Sequence, residues 1–249
     1  MRLNDDVAAL EIGATLMGGQ TLIHPAVILD EVAGHTLVDA GMPGMEGAIE
    51  AALAELGIGL GDIRQVIVTH HDLDHIGGLP AVVAASGAQV WALEREVPFI
   101  EGQERPQKMP PPERVAEMLA DPATSPAMRA MLSAPPTTAK VDRALQDGEV
   151  LPLAGGVRVV ATPGHTKGHL SLFAERSRTL ITGDALTSKD GQLHGPMERA
   201  TPDMPTAWQS ANKLAQLGAQ TVLTYHGGVV SENADEQLRQ VAAQGDAPA

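Results

Sequence analysis

Directly after the apolar run Val66-Ile67-Val68, three histidines and two aspartates fall within the six residues His70 to His75, closed by Ile76-Gly77-Gly78. A short β-branched run of this kind reads as a buried strand. Such a strand delivers its imidazoles and carboxylates together at its carboxyl end, and these are the ligand types of zinc, iron and manganese. The chain must therefore fold so that the end of this strand lies beside other donors. Three later segments offer them: Pro163-Gly164-His165-Thr166-Lys167-Gly168-His169, Thr182-Gly183-Asp184 and Thr224-Tyr225-His226-Gly227-Gly228. Each follows or ends a short apolar, β-branched run. In a loop leaving a strand, residues at i and i+2 can point the same way. His70 and Asp72 can thus hold one metal, while Asp74 and His75 are swung around the turn toward a second.

The remaining segments suggest two strand-rich halves, each with helices, and so an α/β layered architecture. Strands are expected at about Ala8–Met17, Leu22–Leu29, Thr36–Val38, Val66–Thr69, Gln89–Leu93, Val157–Ala161, Leu170–Phe173, Thr179–Thr182 and Thr221–Thr224. Helices are expected at about Met45–Leu56, stopped by Gly57, and at Leu79–Ala85, Thr206–Leu217 and Ala234–Val241. Residues 94–140 differ: they hold Pro110-Pro111-Pro112 and Pro135-Pro136 and only short helical pieces, at Val115–Leu119 and Ala127–Leu132. This stretch reads as an insertion on a single domain spanning 1–249. Its expected use is a cover over the site or a homodimer contact. Trp91, Phe99, Met109, Met118 and Met131 are candidates to line an apolar cleft there, with local core as the other reading.

The ordered motifs resemble those of the metallo-β-lactamase-fold superfamily: H-x-H-x-D-H, then Gly-His, then Gly-Asp, then a late His. The resemblance covers about Thr21 to about His226, with one departure. Asp72 stands where the second His of the first motif is usual, as in a subgroup carrying H-x-D-x-D-H. The resemblance implies a four-layer αβ/βα sandwich with metals at one edge of two facing sheets. By motif position, metal one would have His70, Asp72 and His165. Metal two would have Asp74, His75 and His226, and Asp184 would bridge both. His71 has no ligand counterpart and is expected to be exposed or to support a ligand; His169 is expected to hydrogen-bond behind the metals. His24 and His35 read as ordinary strand residues. The expected cofactors are two divalent metal ions, with zinc foremost; a carboxylate at position 72 shifts the balance somewhat toward iron or manganese.

The implied chemistry is hydrolysis by a metal-bridging hydroxide on an ester, lactone, thioester or related bond of a small molecule. Asp184 and Asp74 are its catalytic carboxylates, and His194, in Leu193-His194-Gly195-Pro196, is a further polar candidate near the substrate. Two alternatives are a diiron-type oxidoreductase of the same fold and a phosphodiesterase. The superfamily's homoserine lactonases normally carry a Tyr shortly after the bridging Asp, where this chain has Thr187. Glyoxalase II is similar in motifs but adds a basic glutathione-binding region without a clear match here. The formal net charge of −14 disfavours nucleic acid and anionic membranes as partners. With no Cys there are no disulfides and no thiolate ligands. Met1 to Gln20 does not resemble a signal peptide, so a cytoplasmic location is expected.

Overall fold

The computed structural model describes residues 1–16 and 18–245. In the first half the strands are β1 (Val7–Ala9), β2 (Ile12–Leu16), β3 (Gly19–Ile23), β4 (Ala26–Ile28), β5 (His35–Val38), β6 (Ile63–Val68), β7 (Gln89–Leu93) and β8 (Arg143–Leu145). Helices α1 (Glu46–Ala54), α2 (Leu73–Ile76), α3 (Leu79–Ser86), α4 (Val97–Ile100), α5 (Pro112–Ala120) and α6 (Pro126–Ser133) lie among them. In the second half come β9 (Val150–Leu151), β10 (Val157–Ala161), β11 (Leu170–Ala174), β12 (Thr179–Ile181), β13 (Thr187–Lys189), β14 (Gln192–His194), α7 (Met204–Ala215), β15 (Thr221–Thr224), β16 (Gly228–Val230) and α8 (Ala234–Gln244).

Each half builds one six-stranded sheet, in the orders β1-β4-β5-β6-β7-β8 and β16-β15-β12-β11-β10-β9. Two short antiparallel ribbons, β2-β3 and β13-β14, stand apart from them. The side-chain alternation of the strands sorts the core into three interfaces. Val66 and Val68 face outward to Ile49 and Leu53 of α1 and Leu79 and Val82 of α3. Ile67 between them faces inward, to Val157, Val159, Leu170 and Leu172 of the opposite sheet. Phe173, Leu180 and Val222 pack outward against Leu214 of α7 and Leu238 and Val241 of α8. Helices, sheet, sheet and helices are the four layers of the expected αβ/βα sandwich. Central strands covered on both faces explain why these sequences are continuous apolar runs and not alternating ones.

Two expected strands are divided. Ala8–Met17 splits at Leu10-Glu11 into β1, in the large sheet, and β2, in the ribbon; Met17 lies outside the described residues. Leu22–Leu29 splits at His24-Pro25, because proline cannot donate to a ladder. His24 accordingly lies in the link between strands rather than in one. The 94–140 stretch carries α4, α5 and α6 and returns to the first sheet through β8, which pairs parallel to β7. Within it Phe99 is buried and Met131 is exposed, while Trp91 belongs to the inter-sheet core under the Arg143 guanidinium. Among the described residues no helix is long and apolar enough to cross a membrane.

Strand direction positions the site. β5, β6, β7 and β8 are parallel neighbours, as are β12 and β15. β10 runs the same way as β12, because each is antiparallel to β11. The loops leaving β5, β6, β10, β12 and β15 therefore leave from carboxyl ends, the edge at which α/β sheets present their functional residues.

Candidate metal centre

The seven side chains given by motif position converge at that edge. The donor atoms of His70, Asp72 and His165 lie within 4.8 Å of one another, and so do those of Asp74, His75 and His226. Asp184 stands between the two sets. Its Oδ1 is 3.3 Å from His75 Nε2, and its Oδ2 is 3.4 Å from both His165 Nε2 and His226 Nε2. His194 is not brought in. It is exposed at the end of β14, paired with Thr187 across the ribbon, and makes none of the contacts that tie the seven together.

The loop geometry follows from local sequence. After β6 the chain turns into α2, whose first turn carries Asp74 and His75. Gly77-Gly78 then lets the chain press against the loop after β5: a Cβ on Gly78 would lie 2.2 Å from the Ala40 carbonyl oxygen. Gly183 adopts a left-handed φ of +52°, and a Cβ there would sit 2.9 Å from His169 Nε2. Both glycines are required by close approach.

Hydrogen bonds behind the donors set their tautomers. His75 Nδ1 lies 2.8 Å from Asp39 Oδ2 and donates to it. Thr69 Oγ1 donates to the same oxygen at 2.8 Å and accepts from His70 Nδ1 at 3.0 Å, while the Thr69 amide donates to Asp39 Oδ1. One buried carboxylate, on a residue in the left-handed region at φ +66°, thus fixes both rings with Nε2 as the free acceptor. His169 is consumed differently. Its Nε2 accepts from the Asp184 amide at 3.0 Å and its Nδ1 meets Thr162 Oγ1 at 2.8 Å, so it braces Asp184 and has no nitrogen left to ligate. Tyr225 lies over the His75 ring at 3.8 Å and donates to the Asp74 carbonyl oxygen at 2.5 Å.

His71 is buried, so of its two expected roles, exposed or supporting a ligand, exposure is excluded. Its ring pairs with Glu96 Oε1, its amide donates to the same oxygen at 2.9 Å, and it stacks on Phe99 at 4.8 Å. Glu96 also accepts from Thr166 Oγ1, tying the loop after β6 to the loop after β10. Sequence spacing gave no signal for Glu96, Asp39 or Lys108; each acts across a long stretch of chain. Lys108 Nζ lies 2.5 Å from Asp72 Oδ2 and 2.6 Å from His165 Nε2.

The residues fit metal ions by two tests. First, His70 Nε2, His75 Nε2 and Asp184 Oδ1 are buried without a hydrogen-bond partner, and all three belong to one donor group. Buried orphan acceptors are costly unless something positive meets them. Second, the cluster draws in positive charge. Burial pulls His226 down, yet the Asp184 charge and hydrogen bonds to Asp184 and Asp74 lift it to about 9. His75 is raised well above the usual imidazole range, the charges of Asp184, Asp39 and Asp74 outweighing its burial. Burial instead drives His70 and His169 well down. Three carboxylates and four imidazoles about one point form a nitrogen and oxygen shell suited to zinc, iron or manganese.

Residues 20–226 match the family model described as the metallo-beta-lactamase superfamily. The chain is 33% identical over 208 residues to the probable metallo-hydrolase YflN of Bacillus subtilis (strain 168), covering 77% of this chain and 74% of that protein. It is 29% identical over 197 residues to a hydroxyacylglutathione hydrolase of Fuscovulum blasticum, covering 78% of this chain but only 58% of that enzyme. Among solved structures, a metallo-beta-lactamase family protein from Thermus thermophilus aligns with a TM-score of 0.73 at 25% identity, over 98% of this chain and 80% of that one. The chain belongs to the metallo-beta-lactamase superfamily.

Proposed function

We propose that this member of the superfamily is a dinuclear metal-dependent hydrolase that cleaves an ester, lactone or thioester of a small molecule. Metal-dependent hydrolysis is supported by the family, by the metallo-hydrolase relative and by the donor groups. The dinuclear reading is carried by one observation: two three-residue donor sets flank a single carboxylate, Asp184, which reaches a histidine of each. His70, Asp72 and His165 would hold one cation and Asp74, His75 and His226 the other, with Asp184 shared. Bound there, two divalent cations supply a water of lowered pKa and Lewis acidity toward the bond under attack.

The chain's own groups then divide the work. His70 and His75, buried and locked from behind, hold geometry. A carboxylate at the opening would take the proton released as water adds to the acyl carbon and return it to the departing alkoxide or thiolate, with Asp74 and Asp184 the candidates for this role. The products are a carboxylic acid and an alcohol or thiol. Asp72, Asp74 and His226 are each about one-fifth exposed and face the opening. A cleft of about 630 Å³ is lined in part by Arg95, Phe99, Gln107, Thr166 and Lys167; it includes Gly164 and Thr166, the chain neighbours of His165, but none of the seven side chains themselves. Its size suits a small molecule. The hydroxyacylglutathione hydrolase relative favours a thioester among the three bond types, and the net charge disfavours polyanionic substrates.

The test is to strip the protein with a chelator, restore it with zinc, manganese or iron, and assay lactones, esters, thioesters and phosphodiesters in parallel. Acyl hydrolysis that disappears on chelation and returns with metal supports the reading. Turnover indifferent to chelation, or confined to phosphodiesters or to oxygen reduction, contradicts it.

A further inference from the structure

We propose that Lys108 is the resident cation of the first donor set, and that a metal ion enters that position only by displacing it. The inference rests on the metal-centre reading above. The Lys108 ammonium lies 2.5 Å from Asp72 Oδ2 and 2.6 Å from His165 Nε2. Those two atoms are themselves 3.1 Å apart, and Asp72 Oδ2 is 3.3 Å from His70 Nε2. The ammonium thus sits on the atoms that a metal in this position would need. It has three donors and no lone pair to offer. Lysine and metal call on the same lone pairs of Asp72 and His165, so the two occupants exclude each other. In the second donor set the partners of Asp74 are the histidines His75 and His226, and no lysine or arginine among the described residues is paired with any of its members.

The placement of Lys108 follows from its neighbour. The Gln107 amide donates to His71 Nε2 at 3.2 Å, and Gln107 Oε1 accepts from the Lys167 amide at 3.1 Å. His71 is held in turn by Glu96. The backbone that carries Lys108 is therefore pinned to both loops that supply the first donor set, and the side chain is only 24% exposed. Asp72 gives the lysine its reason to be there. A carboxylate attracts an ammonium strongly, whereas a neutral imidazole at position 72 would offer no charge. The departure from the superfamily pattern at Asp72 and the lysine from residues 94–140 form one device, which makes the two metal positions unequal.

The experiment is a zinc titration of metal-free protein against buffered free zinc, read as bound zinc per chain by elemental analysis, for the native chain, Lys108→Met and Lys167→Met. Thermal melting of each confirms folding. The native chain is expected to take its first zinc tightly and its second at clearly higher free zinc. Lys108→Met is expected to tighten the second zinc by about tenfold or more, the change that follows if the lysine holds the position about nine-tenths of the time. The first zinc should be unchanged. Lys167→Met removes a nearby positive charge without touching the donors and should shift the second zinc by less than about threefold, which separates occupancy from general electrostatics. A second zinc that binds the native chain and Lys108→Met equally overturns the inference and leaves the dinuclear reading standing. An equal tightening by both variants overturns it as well. Folded protein that takes no zinc, manganese or iron in any form overturns the reading of the centre itself.

Discussion

The two donor sets are similar in composition and unlike in construction. In the set of Asp74, His75 and His226, Asp39 accepts a hydrogen bond directly from His75 Nδ1 at 2.8 Å and Tyr225 covers the ring, whereas the same carboxylate reaches His70 of the other set only through Thr69 Oγ1. His165 in the other set has only Thr201 Oγ1 behind it, at 3.4 Å, and Lys108 in front. A charge-assisted hydrogen bond in a dry site orients a ligand far better than a long contact to a hydroxyl. The contrast therefore lies in one histidine of each set: His75 is held directly by a carboxylate, and His165 only by a long hydroxyl contact.

The largest expected difference is in stability. His75→Ala leaves Asp39 as a buried carboxylate without its imidazole and should cost about 3–5 kcal/mol. His165→Ala leaves Asp72 with Lys108 and water and should cost roughly 1–2 kcal/mol. Denaturant unfolding of the metal-free variants reads both, and equal losses would break the comparison. Next, Asp39→Asn should weaken the tighter metal by about 10–100-fold, the usual cost of losing a carboxylate behind a ligating histidine. Zinc-buffered titration measures this.

A pH effect should follow the same asymmetry. His226 is raised in the metal-free chain from 6.5 to about 9. Its protonated form therefore contributes stability that is fully present below pH 6.5 and is lost as pH rises through about 9. Metal binding requires the neutral ring and must release that proton. Metal-free protein should melt lower at about pH 9 than at about pH 6.5, while the metal-loaded form gains affinity over that interval. Calorimetry in buffers of different ionisation enthalpy would count the protons, and zero release near neutral pH would contradict the assignment. The smallest effect is expected for Thr201→Ala, a change of about threefold or less in metal affinity, because its contact with His165 is long.

How far the sequence reveals these features depends on the range of the interactions. Strands such as Gln89–Leu93 and Val157–Ala161 were legible to the residue because turns bound their apolar runs. The expected strand Ala8–Met17 looks continuous because its apolar residues run on through Leu10, although β1 and β2 belong to different sheets. The seven side chains that converge stand in short motifs: His70, Asp184 and His226 lie just past β6, β12 and β15, and Asp74 and His75 in the helical turn that follows β6. His194, expected only as a further polar group near the substrate, lies on a strand of a ribbon outside the main sheets. Asp39, Glu96 and Lys108 meet their partners across 25 to 36 residues, with no spacing to announce them. Only the fold brings them together, and they decide how the two positions differ.

The most direct test of the central claim is anomalous diffraction from crystals grown with manganese or zinc. Two metal peaks are expected on either side of Asp184, one among His70, Asp72 and His165 and one among Asp74, His75 and His226, with higher occupancy at the second. Peaks elsewhere, or none among these seven side chains in well-ordered protein, would contradict it.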